Sequence, residues 1–357
     1  MFTETRTIWE YLKSAEKPIV MYGMGNGAEK ILKVLDSYGI RPNAFMASDD
    51  FVRGHSFQGF SVNKLSEIEG MYDDFIILVC FGTSRDDIIN KIYGLAEKYE
   101  VYAPDVPVIG DGLFDETYVA KNIKKIVAVR EILADDVSKY VFDRLIDFRI
   151  SGKIEHLQNC TTPLDEALDL FNIRHDSTET FVDLGAYDGD TVAMFLERTK
   201  KSFNRIYAVE PDSRNFIKIR RRNYALGSAK FIPINAAVWD EDAEIDFSDL
   251  SGRGSRAGRG RRERKITARS VDSICAGCEP TIIKMDVEGC EERALLGASQ
   301  TINKCLPRLI VSLYHRNADM LELPLLVYRL SGGAYSMYLR HHNYIPAWDT
   351  NLYCVKI

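Results

Sequence analysis

The first 105 residues alternate short apolar runs with amphipathic segments of helical spacing, a pattern typical of parallel α/β units. The apolar runs predict strands, and the segments between them predict helices. The predicted strands lie at 18–22, 43–47 and 75–80, and the predicted helices at 28–37 and 85–98. We therefore expect a small Rossmann-like domain over residues 1–105.

A second alternating series starts near residue 180 and runs to the end of the chain. Its apolar runs predict seven strands, at 181–185, 206–210, 230–235, 281–286, 308–315, 335–342 and 350–357. Because only a short loop joins the last two strands, we expect them to pair antiparallel at one edge of an otherwise parallel sheet. This series predicts a second Rossmann-like domain at 176–357. Between the two domains, residues 106–175 predict a connector with helices, since apolar residues recur at helical spacing over 130–148.

Composition supports a folded chain of two domains, because 357 residues exceed the usual size of one hydrophobic core and 46% of them are hydrophobic. The net charge of −6 argues against a general nucleic-acid-binding surface. We find neither a signal-peptide pattern nor the roughly 18 to 20 apolar residues of a membrane span, so we expect a cytoplasmic protein. The seven cysteines fit reduced thiols, and Cys275 and Cys278 lack a second pair at zinc-site spacing.

A glycine-containing turn follows the first strand of the second series, where Asp183 ends an apolar run and Gly185 and Gly189 precede a helix. Glycines let the backbone turn tightly and approach a ligand. The spacing D-x-G-x-x-x-G differs from the G-x-G-x-x-G of pyrophosphate-binding turns, which favours S-adenosylmethionine over a dinucleotide. The residues predicted to bind this donor are Asp183, Gly185, Ala186, Tyr187, Asp188, Gly189, Asp190 and Thr191.

The next strand ends in Glu210, which Pro211 and Asp212 follow. An acid at the carboxyl end of the second strand of a doubly wound fold can accept hydrogen bonds from both ribose hydroxyls. We therefore expect Glu210 to bind the ribose of the donor, with Pro211 and Asp212 beside it. The alternative is a solvated glutamate at a strand end.

Further segments of the second half share one family pattern with the two motifs above, and the full set is 183–189, 210–211, 235–237, 269–272, 283–289, Glu291, 296–298 and 314–315. On these residues the chain from about residue 179 onward resembles the FkbM-type methyltransferase family, and the block 283–289 is the most specific part of the match. The resemblance implies the seven-stranded class I methyltransferase fold and S-adenosylmethionine as the donor. It also implies a donor site that includes Asn235, Ala236, Ala237 and Asp286.

The segment from Lys284 to Glu288 ends a predicted strand, so Lys284 and Asp286 point to one side at the edge where open α/β sheets bind ligands. A hydroxyl acceptor needs a group that takes its proton. His315, expected at the end of the fifth strand, is one candidate base, and its alternative is a hydrogen-bonded structural role. Asp286 and Glu288 are rival candidates, as bases or as oxygen ligands of Mg²⁺. Lys284 is counted with them among the predicted catalytic residues. Glu291 begins a helix and is assigned a mainly structural role.

Another glycine turn, the first along the chain, contains Gly23, Gly25 and Asn26. It follows a predicted strand and opens a helix, which is the context of a phosphate-binding G-x-G-x-x-[GA] motif. Asp49 after the next strand, or its neighbour, is placed to meet a ribose. The first 100 residues resemble the nucleotide-sugar-binding domain of bacterial sugar acyltransferases. That resemblance rests on 49–50, Gly54 and 58–62. It implies a sugar-nucleotide site, and the alternatives are a Rossmann scaffold without a nucleotide and an NAD site.

Residues 251–265 contain seven basic residues and four glycines, a composition that cannot pack a core. We expect a mobile loop or a long hairpin tip. One interpretation is a solvated insertion. Another is an anion clamp for a phosphorylated acceptor, formed by Arg253, Arg256 and Arg259, because guanidinium groups bind phosphate bidentately. RNA is disfavoured, since the chain is acidic and the loop lacks aromatic residues.

Together these features predict an enzyme that transfers a methyl group from S-adenosylmethionine to an oxygen. The resemblances suggest a sugar hydroxyl of a nucleotide-sugar or surface-glycan precursor as the acceptor. One alternative is a nicotinamide-dependent sugar oxidoreductase that uses Gly23 and Gly25. Another is a non-catalytic module that binds the donor or a nucleotide.

Overall fold

The computed structural model describes residues 1–54, 56–226, 229–246 and 265–357. Two large β-sheets carry the fold within this part of the chain, one of six strands and one of seven, together with a small three-stranded sheet. Helices separate most of the strands along the sequence. The predicted α/β class, with two Rossmann-like units joined by helices, is confirmed.

The first large sheet contains β1 (Ile19–Tyr22), β2 (Ala44–Met46), β3 (Ser56–Phe57), β4 (Phe60–Asn63), β5 (Ile76–Val79) and β6 (Glu100–Tyr102). Its order is β3-β4-β2-β1-β5-β6, and all pairs are parallel except the hairpin β3–β4. The three predicted strands are confirmed as β1, β2 and β5. The apolar pattern does not predict the other three, because they are two to four residues long and only partly buried.

Four helices accompany this sheet: α1 (Ile8–Lys13), α2 (Asn26–Ser37), α3 (Leu65–Met71) and α4 (Asp86–Ala96). The two predicted helices are confirmed as α2 and α4. Both are amphipathic, and α2 buries Ala28, Ile31 and Leu35 against the sheet, which is the i, i+3, i+7 spacing of one helical face.

The connector forms α5 (Glu116–Ile132), α6 (Asp136–Ser151), α7 (Glu155–Cys160) and α8 (Leu164–Asp169). The segment of helical spacing at 130–148 falls on two of these helices, α5 and α6, with a break at 133–135. Leu133 forms a bridge with Met337, and the N–H of Ala134 donates to the Met337 carbonyl at 2.8 Å. Asp135 then caps α6 by accepting from the N–H of Ser138 at 2.7 Å. Pairing with a distant strand therefore replaces one helical turn.

Helix α6 lies inside the protein, because eleven of its sixteen residues are buried. A helix buried on most faces belongs to a shared core. One continuous cluster of buried side chains indeed extends from Val20 in the first sheet, through Phe142 and Phe148 on α6, to Cys354 in the second sheet. The connector therefore joins the two sheets through packing as well as through the chain.

Ten strands lie in the described residues of the second half, and seven of them form the second large sheet. The ten are β7 (Thr180–Leu184), β8 (Arg205–Val209), β9 (Phe231–Ile234), β10 (Ala237–Trp239), β11 (Ala243–Asp246), β12 (Lys265–Ser270), β13 (Ile282–Met285), β14 (Arg308–Ser312), β15 (Tyr335–His341) and β16 (Thr350–Lys356). The large sheet has the order β15-β16-β14-β13-β7-β8-β9. Strand β16 pairs antiparallel with both β14 and β15. The seven strands and the antiparallel edge pair are both confirmed.

The helices of this half are α9 (Asp190–Arg198), α10 (Ser213–Leu226), α11 (Val271–Ile274), α12 (Glu291–Leu296), α13 (Ser299–Cys305) and α14 (Asp319–Leu330). The sequence does not predict the small sheet, of order β10-β12-β11, in which β11 and β12 pair antiparallel. The predicted loop 251–265 lies outside the described residues except for Lys265, which opens β12. No helix in the described part of the chain has both the length and the apolar character needed to cross a membrane.

The carboxyl edges of the two large sheets are directed at each other. Thr83, just after β5, exchanges two backbone hydrogen bonds with Ile345, in the loop after β15. A side chain at Gly82 would collide with the ring of Trp348 at 2.2 Å, so the two loops are in close contact. The segment between β6 and α5 reaches the same region, because the N–H of Ile109 donates to the carbonyl of His315 at 2.8 Å. Open α/β sheets bind ligands at this edge.

Candidate active site

Asp183 lies at the end of β7, at the centre of the carboxyl edge of the seven-stranded sheet. Its side chain is 0% exposed, and neither carboxylate oxygen has a hydrogen-bond partner among the described residues. Burial raises the pKa of Asp183 to about 6, although the ammonium group of Lys284, 3.6 Å away, opposes this shift. A buried carboxylate without hydrogen bonds destabilises the fold and is typical of a functional site.

The turn after β7 requires glycine at its first position. Gly185 has a φ of +79°, and a Cβ atom there would lie 1.8 Å from the carbonyl oxygen of Asp286. The N–H groups of Gly185 and Ala186 both donate to the carbonyl of Val209 at 3.0 Å. Gly185 therefore lets the ends of β7, β8 and β13 approach one another closely.

Glu210 is buried at the end of β8 and receives two backbone hydrogen bonds. The N–H of Tyr187 donates to Oε2 at 2.9 Å, and the N–H of Asp212 donates to Oε1 at 2.8 Å. Burial raises the pKa of Glu210 to about 7, against the opposing effect of these two hydrogen bonds. Each carboxylate oxygen keeps a further lone pair, so the fixed carboxylate can accept two hydroxyl donors from a ligand.

The remaining predicted donor residues surround these two carboxylates. The side-chain amide of Asn235 donates to the carbonyls of Glu210 and Pro211, and Ala236 and Ala237 after it are buried. Tyr187 is 57% exposed and has a positive φ of 46°, which is strained for a residue with a Cβ atom. The turn continues through Asp188, Gly189, Asp190 and Thr191 into α9.

Lys284 links the carboxylates of β7 and β13. Its ammonium nitrogen lies 3.6 Å from Asp183 Oδ1 and 3.8 Å from Asp286 Oδ2. Burial alone would lower the pKa of Lys284, but Asp183 and Asp286 outweigh it and raise this pKa. The side chain therefore stays protonated and positions the two carboxylates, and a proton-accepting role does not fit it.

His315 is almost completely buried after β14, between carboxylates. Its Nε2 lies 3.5 Å from Asp286 Oδ1 and 3.4 Å from Glu288 Oε2, and its Nδ1 lies 3.0 Å from Glu291 Oε1. Burial would lower the pKa of His315, but Glu291 first, and then Glu288 and Asp286, raise it to about 10. At neutral pH the imidazole of the free protein is therefore protonated and cannot accept a proton.

Three further groups lie at this edge: Glu291, which is expected to be structural, Tyr314, which is named only as part of the family resemblance, and Asp319, which no motif indicates. Glu291 is 1% exposed, faces His315 and accepts from the N–H of Val287 at 2.9 Å. The hydroxyl of Tyr314 donates to Asp286 Oδ1 at 3.1 Å. Burial raises the pKa of Asp319 to about 7, with Glu291 as the next cause. Glu291 belongs to the residues on which the family resemblance rests, together with the block 283–289. Sequence spacing alone does not show that an acidic residue in the first turn of a helix points inward.

The carboxylates could also hold a cation. Single ligand atoms of Asp286, Glu291 and His315 lie within 4.8 Å of one another, whereas Glu288 is not part of this group. Mg²⁺ prefers a shell of oxygen ligands, and here it would compete with the proton on His315 and with the backbone N–H bound by Glu291. The residues therefore fit Mg²⁺ poorly.

Comparison with known proteins relates part of the chain to a known family. Residues 183–346 match the model of the methyltransferase FkbM domain. This segment therefore resembles an FkbM-type methyltransferase domain. A crystal structure of methyltransferase FkbM from Methylobacillus flagellatus KT is similar to the chain with a TM-score of 0.71 and 21% identity, covering 95% of this chain and 90% of that one. It shows that the fold is shared through both halves. A comparison with curated proteins finds no match.

Two further structures with low TM-scores each cover 55% of the chain. An rRNA methylase from Streptococcus thermophilus has 16% identity and a TM-score of 0.35, covering 55% of this chain and 98% of that one. A putative methyltransferase from Streptococcus mutans in complex with SAH has 14% identity and a TM-score of 0.34, covering 55% of this chain and 99% of that one. These similarities are too weak to add to the assignment of the FkbM-type domain.

The first glycine turn lies outside the matched FkbM segment. Gly23 and Gly25 have φ values of +110° and +100°, and a Cβ atom on Gly27 would lie 2.3 Å from the Cys80 carbonyl, as close helix–strand packing requires. Asn26 and Asp49 are exposed, and Asp49 opens a short 3₁₀ helix. A nucleotide at this turn stays a prediction. Arg253, Arg256 and Arg259 lie outside the described residues.

Proposed function

We propose that the protein transfers the methyl group of S-adenosylmethionine to an oxygen atom, with a sugar hydroxyl of a nucleotide-sugar or glycan precursor as the acceptor. The observation that carries the donor assignment is Glu210, a buried carboxylate that two backbone N–H groups hold at the strand end next to Asp183. The remaining lone pairs of such a carboxylate can accept hydrogen bonds from the two ribose hydroxyls of the methyl donor.

The charge of the site supports a cationic donor. Asp183 and Glu210 are buried carboxyls with raised pKa values, so a positive ligand would favour their ionised forms. Around His315, three carboxylates face one imidazolium, which leaves an excess of negative charge. The sulfonium and amino groups of the donor would offset it. A dinucleotide, with its two phosphates, would add to it.

The acceptor proton passes to a carboxylate in this proposal. His315 is already protonated, and Lys284 and Tyr314 occupy the carboxylate of Asp286. Glu288 is 48% exposed, lies 3.4 Å from His315 Nε2 and has a positive φ of 53°, a strain that proteins retain mainly at functional sites. Glu288 would take the proton as the hydroxyl attacks the methyl group, and His315 would stabilise and orient it.

The position of the N-terminal sheet supports a two-part acceptor. Its glycine turn and the methyltransferase edge border the same region between the sheets, where Thr83 contacts Ile345 and Ile109 contacts His315. A nucleotide diphosphate at Gly23 and Gly25 would place an attached sugar toward this region. The N-terminal domain then supplies acceptor binding, and the FkbM-type domain supplies the chemistry.

Isothermal titration calorimetry with S-adenosylhomocysteine tests the donor assignment. Wild-type protein should bind it, and Asp183→Ala and Glu210→Ala should each lower the affinity at least tenfold. Each variant loses a carboxylate whose hydrogen bonds or electrostatic attraction to the ligand contribute about 1.5 kcal/mol or more. Undetectable binding by folded wild-type protein, or unchanged binding in both variants, would sink the donor assignment. NAD⁺ binding in the same assay would instead support the oxidoreductase alternative.

Turnover with methyl-labelled donor and a panel of nucleotide sugars and glycan fragments tests the chemistry. Glu288→Gln should lower kcat by about 10²- to 10⁴-fold, as loss of a general base does, and leave S-adenosylhomocysteine binding unchanged. The exposed neighbour Glu292 provides the matched control, Glu292→Gln, with wild-type kcat. If His315→Gln abolishes turnover while Glu288→Gln only shifts the pH profile, His315 is the base. Donor binding with no product from any acceptor would favour a non-catalytic module.

A further inference from the structure

The amino edge of the seven-stranded sheet contains a cavity of about 820 Å³, on the side opposite the methyl-transfer site. The residues at or just before the starts of four strands line it: Thr180, Arg205, Thr281 and Arg308. Two half-buried cysteines, Cys278 and Cys305, also line it. A ligand in this cavity would not overlap the donor.

Cys278 forms a close pair with a third cysteine. Cys275 ends α11, and the N–H of Cys278 donates to the Cys275 carbonyl at 2.9 Å, which closes a four-residue turn. Such a turn brings its end Cα atoms within about 7 Å, and disulfides span about 4.4 to 6.8 Å. Gly277 has a φ of +78°, as the third position of a tight turn often requires. The backbone therefore places the two cysteines at disulfide distance.

The surroundings activate one thiol of the pair. The pKa of Cys278 is lowered to about 6, first by a hydrogen bond from Cys275 and, after an opposing effect of burial, by Tyr207 and Arg205. The pKa of Cys275 is raised, by the same hydrogen bond and by burial. Burial also raises the pKa of Cys305, with Glu279 as the next cause. Cys278 is thus the nucleophile at neutral pH, because the thiolate is the reactive form.

The cavity wall is basic. Its basic side chains are Arg174, Arg205, Lys304, Arg308 and Lys356. Arg308 pairs with Glu179 and Lys304 lies 4.0 Å from Glu279, which leaves three basic groups in excess. An anionic small molecule would therefore be attracted to the side of the cavity that contains the thiolate.

We propose that Cys278 and Cys275 form a redox-active dithiol that reacts with an anionic small-molecule disulfide bound in this cavity. The Cys278 thiolate attacks one sulfur of the disulfide, the S–S bond breaks, and the released thiolate takes a proton from water. Cys275 then loses its proton to water and attacks Cys278 Sγ, which releases the second thiol. The two cysteines are oxidised to one intrachain disulfide, and the small disulfide is reduced to two thiols.

Oxidised glutathione is the probe, because it is an anionic disulfide. Full-length reduced protein incubated with it at pH 7 should lose two hydrogen atoms by intact mass, and peptide mapping should place the bridge between Cys275 and Cys278. Cys275→Ser should stop at one glutathione adduct on Cys278, and Cys278→Ser should give neither product. Cys305→Ser, the matched control in the same wall, should behave like wild type. An unmodified wild type, or a bridge from Cys278 to Cys305, would overturn the proposal.

Two measurements test the proposal on the wild-type protein alone, so they do not depend on whether a variant folds. Brief alkylation with iodoacetamide at pH 7 should label Cys278 before the other six cysteines, and equal labelling of Cys305 would contradict the assignment. Oxidised glutathione should react several-fold faster than the neutral disulfide of 2-mercaptoethanol at low salt, and the difference should shrink at 1 M salt, where charges are screened within about 3 Å. Equal rates at low salt would overturn the role of the basic wall.

Discussion

The protein contains two glycine turns that follow the first strand of a parallel sheet, and they differ in the acids around them. The first turn has more glycines and matches a familiar nucleotide motif, but Asp49, the acid after its neighbouring strand, is exposed. The second turn has fewer glycines and stands between Asp183 and Glu210, both buried. Burial raises the pKa of Asp183 to about 6 and that of Glu210 to about 7.

The difference shows what a glycine pattern does and does not report. At Gly27 in the first turn, glycine permits a helix to pack against the Cys80 carbonyl, which any Rossmann-like scaffold needs. At Gly185 in the second turn, glycine brings the Asp286 backbone against a strand end that already holds two buried carboxylates. Buried charge is costly to keep and is therefore the stronger indication of a ligand.

The largest effect is expected from alanine at the two turns. Gly185→Ala forces a Cβ atom to 1.8 Å from the Asp286 carbonyl and strains a φ of +79°, so we expect a loss of at least about 3 kcal/mol locally and no measurable S-adenosylhomocysteine binding. Gly25→Ala strains a φ of +100° but meets no atom within 4 Å, so it should cost about 1 to 2 kcal/mol. Thermal unfolding and calorimetry measure both.

Equal donor affinity in the two alanine variants would break the comparison. Circular dichroism should accompany the calorimetry, because a Gly185→Ala protein that is unfolded throughout says nothing about the site. Gly59→Ala is the control. Gly59 also has a positive φ and open space around its Cβ position, but it lies outside both turns, so this variant should bind the donor normally.

A smaller effect is expected from neutralising the acid after the second strand of each sheet. In Glu210→Gln the amide NH₂ must face the N–H of Tyr187 or of Asp212, because each carboxylate oxygen now accepts one of them. We expect donor affinity to fall about 10- to 100-fold, the range for a lost charged hydrogen bond plus repulsion. The matched change Asp49→Asn should leave it unaltered. Calorimetry that finds Asp49→Asn as damaging as Glu210→Gln would reverse the roles of the two turns.

The pH dependence of donor binding follows from the same carboxyl. Ribose hydroxyls donate to the ionised form, so affinity should rise about tenfold per pH unit as the pH approaches 7, the pKa of Glu210, and level off above it. The stability of the free protein depends on pH in the opposite direction. Because the pKa of Glu210 in the folded protein lies above its ordinary value of 4.5, stability from this group is lost as the pH rises from 4.5 to 7. Titrations from pH 5.5 to 8 should show this rise in wild type and a smaller one in Glu210→Gln, where Asp183 still titrates.

The sequence was sufficient for the seven strands and for the acids at their ends, because long apolar runs and strand-end acids are local features. It was insufficient where partners come from far along the chain. Leu133 leaves the helical pattern because Met337 pairs with it. The inward direction of Glu291 and the protonation of His315 depend on the segment after β13, which carries Glu288 and Glu291, folding against the loop after β14, which carries His315. The small sheet β10-β12-β11 joins segments on either side of the Arg/Gly-rich stretch. The polar composition of that stretch gives no apolar pattern from which pairing between its two sides could be predicted.

The smallest effect is expected at a chain of hydrogen bonds that connects the helix after the first glycine turn with His315. Lys30, in the helix after the first turn, donates to the carbonyls of Pro107 and Val108 at 2.8 Å and 2.7 Å, and the next N–H, of Ile109, binds the His315 carbonyl. Lys30→Met should lower unfolding stability by about 1 kcal/mol and raise the KM for the acceptor a few-fold, while donor affinity stays the same. Lys33→Met, at an exposed lysine of the same helix, is the control and should change none of the three. A Lys30→Met enzyme with wild-type KM but lowered stability would mean that this segment only fastens the two sheets together, and the first turn would then have no part in acceptor binding by this route.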